Sequence, residues 1–142
     1  MIVTKRFHFY AAHRNVEIGG KCANLHGHNY SFILHVEHEK KGSVTIPFDA
    51  VEDAMKPFMS KIDHSVLVNR FDPEFGSILS CPAMGNLYVV GFETSAENLA
   101  IHLLALARSA GLNAIKIELK ETESASVIAT LDDLTTADFQ VS

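Results

Sequence analysis

The sequence has no block of lysine and arginine. Its 12 basic residues are outnumbered by 17 acidic ones, giving a net charge of −5 with histidine neutral. A nucleic-acid surface is therefore disfavoured, because neutralising phosphates takes clustered cations. Long apolar runs are missing as well. The longest, around Leu99 to Ala107, falls far short of the roughly 20 residues a bilayer crossing needs, so no membrane partner is expected. Met1 leads directly into a strand-like pattern, with neither the basic nor the apolar region of a signal peptide. Cysteine is scarce: Cys22 and Cys81 make no disulfide framework, and a reduced, cytoplasmic protein is the expectation. Repeats and low-complexity segments are absent too. What remains is an ordinary globular composition, 47% apolar and 20% charged over 142 residues. That length suits a single domain over 1–142 with a real core and is short for two.

Residues 2–13 alternate, with Phe7, Phe9 and Ala11 in one phase, and predict a strand. Residues 28–39 alternate more clearly, Tyr30, Phe32, Leu34 and Val36 sharing a face. A turn at 40–43 leads to a short run, Val44-Thr-Ile. Asp49, with Glu52 as capping-box partner, opens a helix through Val51, Met55, Phe58, Met59 and Ile62, and Pro57 should kink or end it. Residues 70–93, with two prolines and three glycines, show no sustained period. Thr94 and Glu97 form a second capping box before the helical run to Ala107, and Gly111 is its stop. Ile115, Ile117 and Leu119 then alternate as a strand, and a last strand near Val127 to Leu131 precedes an acidic tail. The order ββααββ predicts an α+β domain, a four-stranded antiparallel sheet with two helices on one face.

The chemistry concentrates in Cys22-Ala-Asn-Leu-His26-Gly-His28. Strand side chains repeat every two residues, so His26 and His28 face the same way, in phase with the core side of their strand. Two inward imidazoles need partners. A divalent cation supplies one, and His13, ending the neighbouring strand pattern, completes a triad. Gly27 between the two leaves room for close approach. Three histidines with an open fourth position suit a catalytic Zn²⁺ best, although Fe²⁺, Co²⁺ and Ni²⁺ accept the same ligands. His8, His35, His38 and His102 read as structural or surface residues.

Cys22 has two readings, a fourth ligand that closes the site or a neighbouring thiol whose pKa the metal lowers enough to make it a base. Asp63-His64 is either a general acid–base pair or a surface ion pair. Glu121 continues the phase of Ile115, Ile117 and Leu119. It is either a frayed strand end in water or a buried carboxylate anchoring a ligand with adjacent N–H donors.

Taken together, Phe9-Tyr-Ala-Ala-His13, Cys22-to-His28, Ile62-Asp-His-Ser-Val-Leu-Val-Asn69, Ser95-Ala-Glu97-Asn-Leu-Ala and Glu121-Thr122 resemble the 6-pyruvoyl-tetrahydropterin synthase / 6-carboxy-tetrahydropterin synthase family. The resemblance runs from the first strand to about residue 130. It implies zinc on His13, His26 and His28, a thiolate base at Cys22, and Asp63–His64 in a proton relay. It also implies Glu121 on the amino-pyrimidine edge of a pterin, with Glu97 as a second carboxylate nearby. It implies the tunnelling fold, and trimers stacked into hexamers with active sites between subunits. The expected substrate is 7,8-dihydroneopterin triphosphate. The three-residue gap between Cys22 and His26 resembles the bacterial branch, which forms 6-carboxy-5,6,7,8-tetrahydropterin, acetaldehyde and triphosphate for queuosine and other deazapurines. The alternatives are 6-pyruvoyl-tetrahydropterin formation by triphosphate elimination, and a non-catalytic zinc domain serving assembly. Departures from the family pattern are Pro47, Thr94-Ser95 and a longer 70–93 segment.

Overall fold

A computed structural model describes residues 1–136; the end of the acidic tail lies outside the described residues. Strand β1 (Ile2–His13) runs antiparallel to β2 (His26–Glu37) along its whole length, from Ile2 opposite Glu37 to His13 opposite His26. Strand β5 (Ala114–Thr122) pairs with the other side of β2 and turns tightly into β6 (Ala125–Thr130). These are the four antiparallel strands expected from the sequence.

The sheet is larger than that expectation. Strands β3 (Ser65–Asn69) and β4 (Leu87–Val90) add to the free side of β1, giving six strands in the order β4-β3-β1-β2-β5-β6. Both additions are parallel, β3 to β1 and β4 to β3, so the sheet is mixed rather than wholly antiparallel. Neither strand alternates. Ser65, Leu67 and Val68 are all buried, and a short apolar run buried on both faces has no period to read. Within 70–93 there is also a short helix, α2 (Phe75–Leu79).

Helix α1 (Phe48–Ile62) buries Val51, Met55 and Ile62 and runs unbroken through Pro57. Pro57 is exposed, where the carbonyl it leaves unbonded is hydrated at little cost. Its N-cap is Pro47 rather than Asp49, which sits instead in the first turn, favourable to the helix dipole. Glu52 pairs with Lys5 at 3.2 Å instead of closing a capping box. Helix α3 (Ala96–Ser109) is capped by Ser95, whose Oγ accepts the Asn98 N–H at 3.2 Å, not by Thr94. It stops at Gly111 as expected, with φ +91° and the Leu112 N–H returning to the Ala107 carbonyl. Val44-Thr-Ile forms no strand, only an isolated Lys41–Val44 bridge, and the acidic tail begins as helix α4 (Leu131–Thr136).

Helices α1 and α3 pack on one face of the sheet. Between them and the strands lies one core containing Phe9, Tyr30, Phe32, Leu34, Leu99, Leu103, Ile117 and Leu119. No described helix is long and apolar enough to cross a membrane.

Candidate metal centre and cleft

Strand alternation delivers the histidines. In β1, Val3, Phe9, Ala11 and His13 are all buried on the core face. In β2, the phase that buries Tyr30, Phe32 and Leu34 also carries His26 and His28. Because His13 pairs with His26 and Ala11 with His28, all three imidazoles meet at one end of the sheet. Their ring centroids are 4.7 Å (His13–His26), 4.9 Å (His26–His28) and 5.3 Å (His13–His28) apart. One ligand nitrogen from each falls within 4.8 Å of the others.

Two carbonyls orient these rings. The Thr94 carbonyl accepts the Nδ1 proton of His13, and the Asn24 carbonyl that of His26, each at 2.7 Å. Since a carbonyl can only accept, both rings are fixed in the tautomer that leaves Nε2 a bare lone pair. Burial, helped by the neighbouring His26 and His28, pulls the His13 pKa from 6.5 to about 4 against the opposing pull of the Thr94 carbonyl. Burial also lowers the pKa of His28, with Glu121 opposing and His26 assisting. These are neutral imidazoles at neutral pH, the form that binds metals.

The residues present fit a divalent cation. Nε2 of His13 and Nε2 of His28 are buried with no hydrogen-bond partner among the described residues. Glu121 presents Oε1 at 3.6 Å from the His28 nitrogen and Oε2 at 4.0 Å from the His13 nitrogen. The bare Nε2 of His13 facing a carboxylate with no proton between them is unfavourable unless a positive charge sits beside it. Three imidazoles match the donor sets of zinc and its neighbours.

A cleft of about 180 Å³ opens over this cluster, lined by His13, His26, Cys22, Asn15, Glu97 and Glu121 among others. Cys22 arrives on a 3₁₀ turn, Gly20–Ala23, after Gly19 and Gly20 adopt positive φ of 75° and 57°, values glycine reaches without strain. The loop is tied at its base by the Asn15 N–H, which donates to the Cys22 carbonyl at 2.6 Å. Cys22 is half-buried and is not one of the three grouped ligands. Glu97 comes from the first turn of α3 and Glu121 from the end of β5.

A family model described as 6-pyruvoyl tetrahydropterin synthase matches residues 2–132. The chain belongs to this family. A 6-carboxy-5,6,7,8-tetrahydropterin synthase of Rickettsia conorii is 32% identical over 103 residues, 70% of this chain and 75% of the relative. The Aquifex aeolicus protein of the same name is 29% identical over 118 residues, 69% of this chain and 73% of that one. Among solved structures, an uncharacterized protein from Wolinella succinogenes aligns with TM-score 0.81 and 21% identity, over 92% of this chain and 98% of that one. The 6-pyruvoyl tetrahydropterin synthase of Caenorhabditis elegans aligns at 0.67 and 19%, over 92% and 94%. These two likenesses show the shared α+β fold.

Not every residue singled out in the sequence of this family member reaches the cleft. Asp63 and His64 do form a pair, Asp63 Oδ2 to His64 Nδ1 at 2.9 Å, but the His64 side chain is 75% exposed. It borders a different, shallow depression with Tyr10, Ala12, Gly27 and Asn29, which reaches the histidine cluster only at His28. The Tyr10 N–H, donating to Asp63 Oδ1 at 2.9 Å, lowers the Asp63 pKa, and His64 adds to that effect. His64 also holds a φ of +60°, outside the usual range of a residue with a side chain. Gly27 does sit at a point of close approach. A Cβ there would stand 3.3 Å from the Ala11 carbonyl oxygen, so the glycine admits the β1 backbone. Asn15 and the Thr94 carbonyl escaped sequence reasoning. Thr94 carries a cap-like signal that points elsewhere, and the fold, not any local pattern, puts Asn15 under Cys22.

Proposed function

We propose that this protein is a zinc-dependent lyase. It would convert 7,8-dihydroneopterin triphosphate and water to 6-carboxy-5,6,7,8-tetrahydropterin, acetaldehyde and triphosphate, on the route to queuosine and other deazapurines. The observation that carries this reading is the set of three clustered imidazoles, two of them, His13 and His26, with tautomers fixed for ligation. They lie beneath a cleft that also holds a thiol and two carboxylates. The carboxy-forming product is favoured by the names of the curated relatives and by the short gap between Cys22 and His26.

His13, His26 and His28 would hold the ion, which when bound polarises the hydroxyls of the substrate's side chain and eases their deprotonation. Cys22, beside that charge, takes a proton as thiolate. Glu121 accepts hydrogen bonds from the amino-pyrimidine edge of the pterin, whose adjacent N–H donors match two carboxylate oxygens, and Glu97 offers a second acceptor. Arg14 is committed to Asp72 at 2.8 Å, so the exposed Lys21, next to Cys22, is the better candidate for the triphosphate.

Asp63 and His64 complete the relay from a neighbouring subunit. Their exposure, and their place outside the cleft of their own chain, suit a trimeric or hexameric assembly with sites between subunits. The 6-pyruvoyl synthase reading has support from the family description and the C. elegans structure.

The decisive experiment is incubation with 7,8-dihydroneopterin triphosphate, with and without a chelator, and identification of every product. Acetaldehyde with a 6-carboxy pterin, both abolished by chelation and restored by zinc, supports the reading. Triphosphate and 6-pyruvoyl-tetrahydropterin without acetaldehyde favour the sister reaction. No turnover, with zinc held by four ligands including Cys22, favours a non-catalytic zinc domain.

A further inference from the structure

Tyr30 lies directly beneath the metal centre and is fully buried. Its ring stacks on Phe9 with centroids 4.9 Å apart and meets His28 and His13 edge-on at 5.4 and 6.0 Å. The hydroxyl has no hydrogen-bond partner among the described residues. A phenol keeps its proton at neutral pH, so the group is an O–H donor. A buried hydroxyl is rarely left unpaired in a native protein. The other orphans beside it, the Nε2 atoms of His13 and His28, are ring nitrogens that can ligate a cation. A cation cannot satisfy an O–H, which needs an acceptor of its own.

The sheet places that acceptor. Strands β2 and β5 pair with Phe32 opposite Leu119 and Ser31 opposite Lys120. Past that pair β5 bulges at Glu121, yet the Glu121 oxygens stand 3.6 Å from His28 Nε2 and 4.0 Å from His13 Nε2, the two rings that Tyr30 meets edge-on. The carboxylate is therefore a neighbour of the Tyr30 side chain. Glu121 is only partly buried, with freedom to turn.

We propose that Tyr30 is a positioning residue whose hydroxyl donates to the Glu121 carboxylate, holding one oxygen so that the other faces a ligand in the cleft. Its ligand side rests on the reading of Glu121 as the pterin anchor.

The test has two arms. In the first, the full-length protein is labelled with tyrosine carrying ¹³C at Cζ, and the Tyr30→Phe variant assigns the Tyr30 signal among the three tyrosines. Metal-free and zinc-loaded samples are both recorded. A hydrogen bond to the carboxylate predicts that Glu121→Gln moves the Tyr30 signal and Glu97→Gln leaves it in place; a signal indifferent to Glu121→Gln overturns the proposal. In the second arm, neopterin is titrated as a fluorescent probe. Tyr30→Phe should weaken its binding by about fivefold to tenfold, the scale of one ordinary net hydrogen bond, with zinc content unchanged. The Tyr30→Phe, Glu121→Gln double variant should bind no worse than Glu121→Gln alone. Additive losses, or loss of zinc on Tyr30→Phe, would place the hydroxyl on another partner and overturn the proposal. Failure of the wild-type protein to bind neopterin removes the pterin reading, and the first arm then decides the Tyr30–Glu121 contact alone.

Discussion

The carbonyl oxygen of Thr94 accepts the Nδ1 proton of His13 at 2.7 Å, across 81 residues of sequence. Thr94 also donates from Oγ1 to the Arg14 carbonyl at 3.3 Å, and the next residue caps α3 through Ser95 Oγ. One short segment therefore sets the tautomer of a candidate metal ligand, ties down the end of β1 and starts the helix that carries Glu97. Metal-binding histidines gain orientation and basicity from such partners, whose loss typically weakens affinity by about 10–100-fold.

This division of labour predicts different outcomes at adjacent positions. Ser95→Ala should cost about 1 kcal/mol of stability, the usual loss of a helix N-cap, and leave the metal bound. Thr94→Val removes the tether to Arg14 but leaves the Thr94 carbonyl and the cap in place, so its larger effect should be on zinc affinity. Urea unfolding and competitive zinc titration of both variants separate the two; a larger unfolding loss in Thr94→Val would restore Thr94 as the cap.

Much of the site was legible because strand periodicity is rigid. Once β1 and β2 are antiparallel neighbours, the phase of Phe9 fixes His13 and the phase of Tyr30 fixes His26 and His28. The same logic turned Glu121 toward the cleft. What the local pattern could not carry was buried on both sides or made by backbone. Strand β3 has no alternation to reveal it, and β4 has four residues inside a glycine- and proline-rich stretch. The cap of α3 moved by one residue because Thr94 is recruited by His13 and Arg14, long-range partners that no capping pattern encodes. The separation of His64 from Cys22 follows from the added strand β3, which places the pair beside Tyr10.

Cys22 is the sharpest test of whether the site is open. It shares the cleft with His13 and His26 yet is outside the grouped ligands. Under the proposed reading, Cys22→Ala retains one zinc per chain after dialysis and loses turnover by about 100-fold or more, the scale of a lost general base. Metal analysis beside product formation gives both numbers. A variant that loses zinc in proportion to its activity would make Cys22 a ligand.

The proposed sharing of the site between subunits makes a prediction that no single variant can. Cys22→Ala and His64→Ala should each be nearly inactive. If each site draws Cys22 from one chain and His64 from its neighbour, chains mixed by reversible denaturation regain roughly a quarter of the wild-type sites in a symmetric ring. Product formation by the mixture is the measurement. Activity no higher than that of the two parents would put both groups in one chain and require a rearrangement of Asp63–His64.

The last prediction concerns stability, and its sign follows from His102. This residue is fully buried in α3, with Nε2 2.7 Å from the Tyr88 hydroxyl, its ring against Phe92, and Nδ1 without a hydrogen-bond partner among the described residues. Burial pulls its pKa from 6.5 to about 4. The unfolded chain therefore takes up a proton first as the pH falls. The contribution of neutral His102 is complete above pH 6.5 and is lost progressively toward pH 4. At about 1.4 kcal/mol per unit, the loss is on the order of 3 kcal/mol at most for a shift of this size. In metal-free protein His13, lowered to about 4 by burial, erodes stability in the same direction over the same range. Urea unfolding of metal-free protein between those limits should show falling stability, with a shallower slope in His102→Leu, which keeps an apolar group in the pocket and removes the titration. A slope unchanged by that substitution would assign the whole acid sensitivity elsewhere, with His13 first in line.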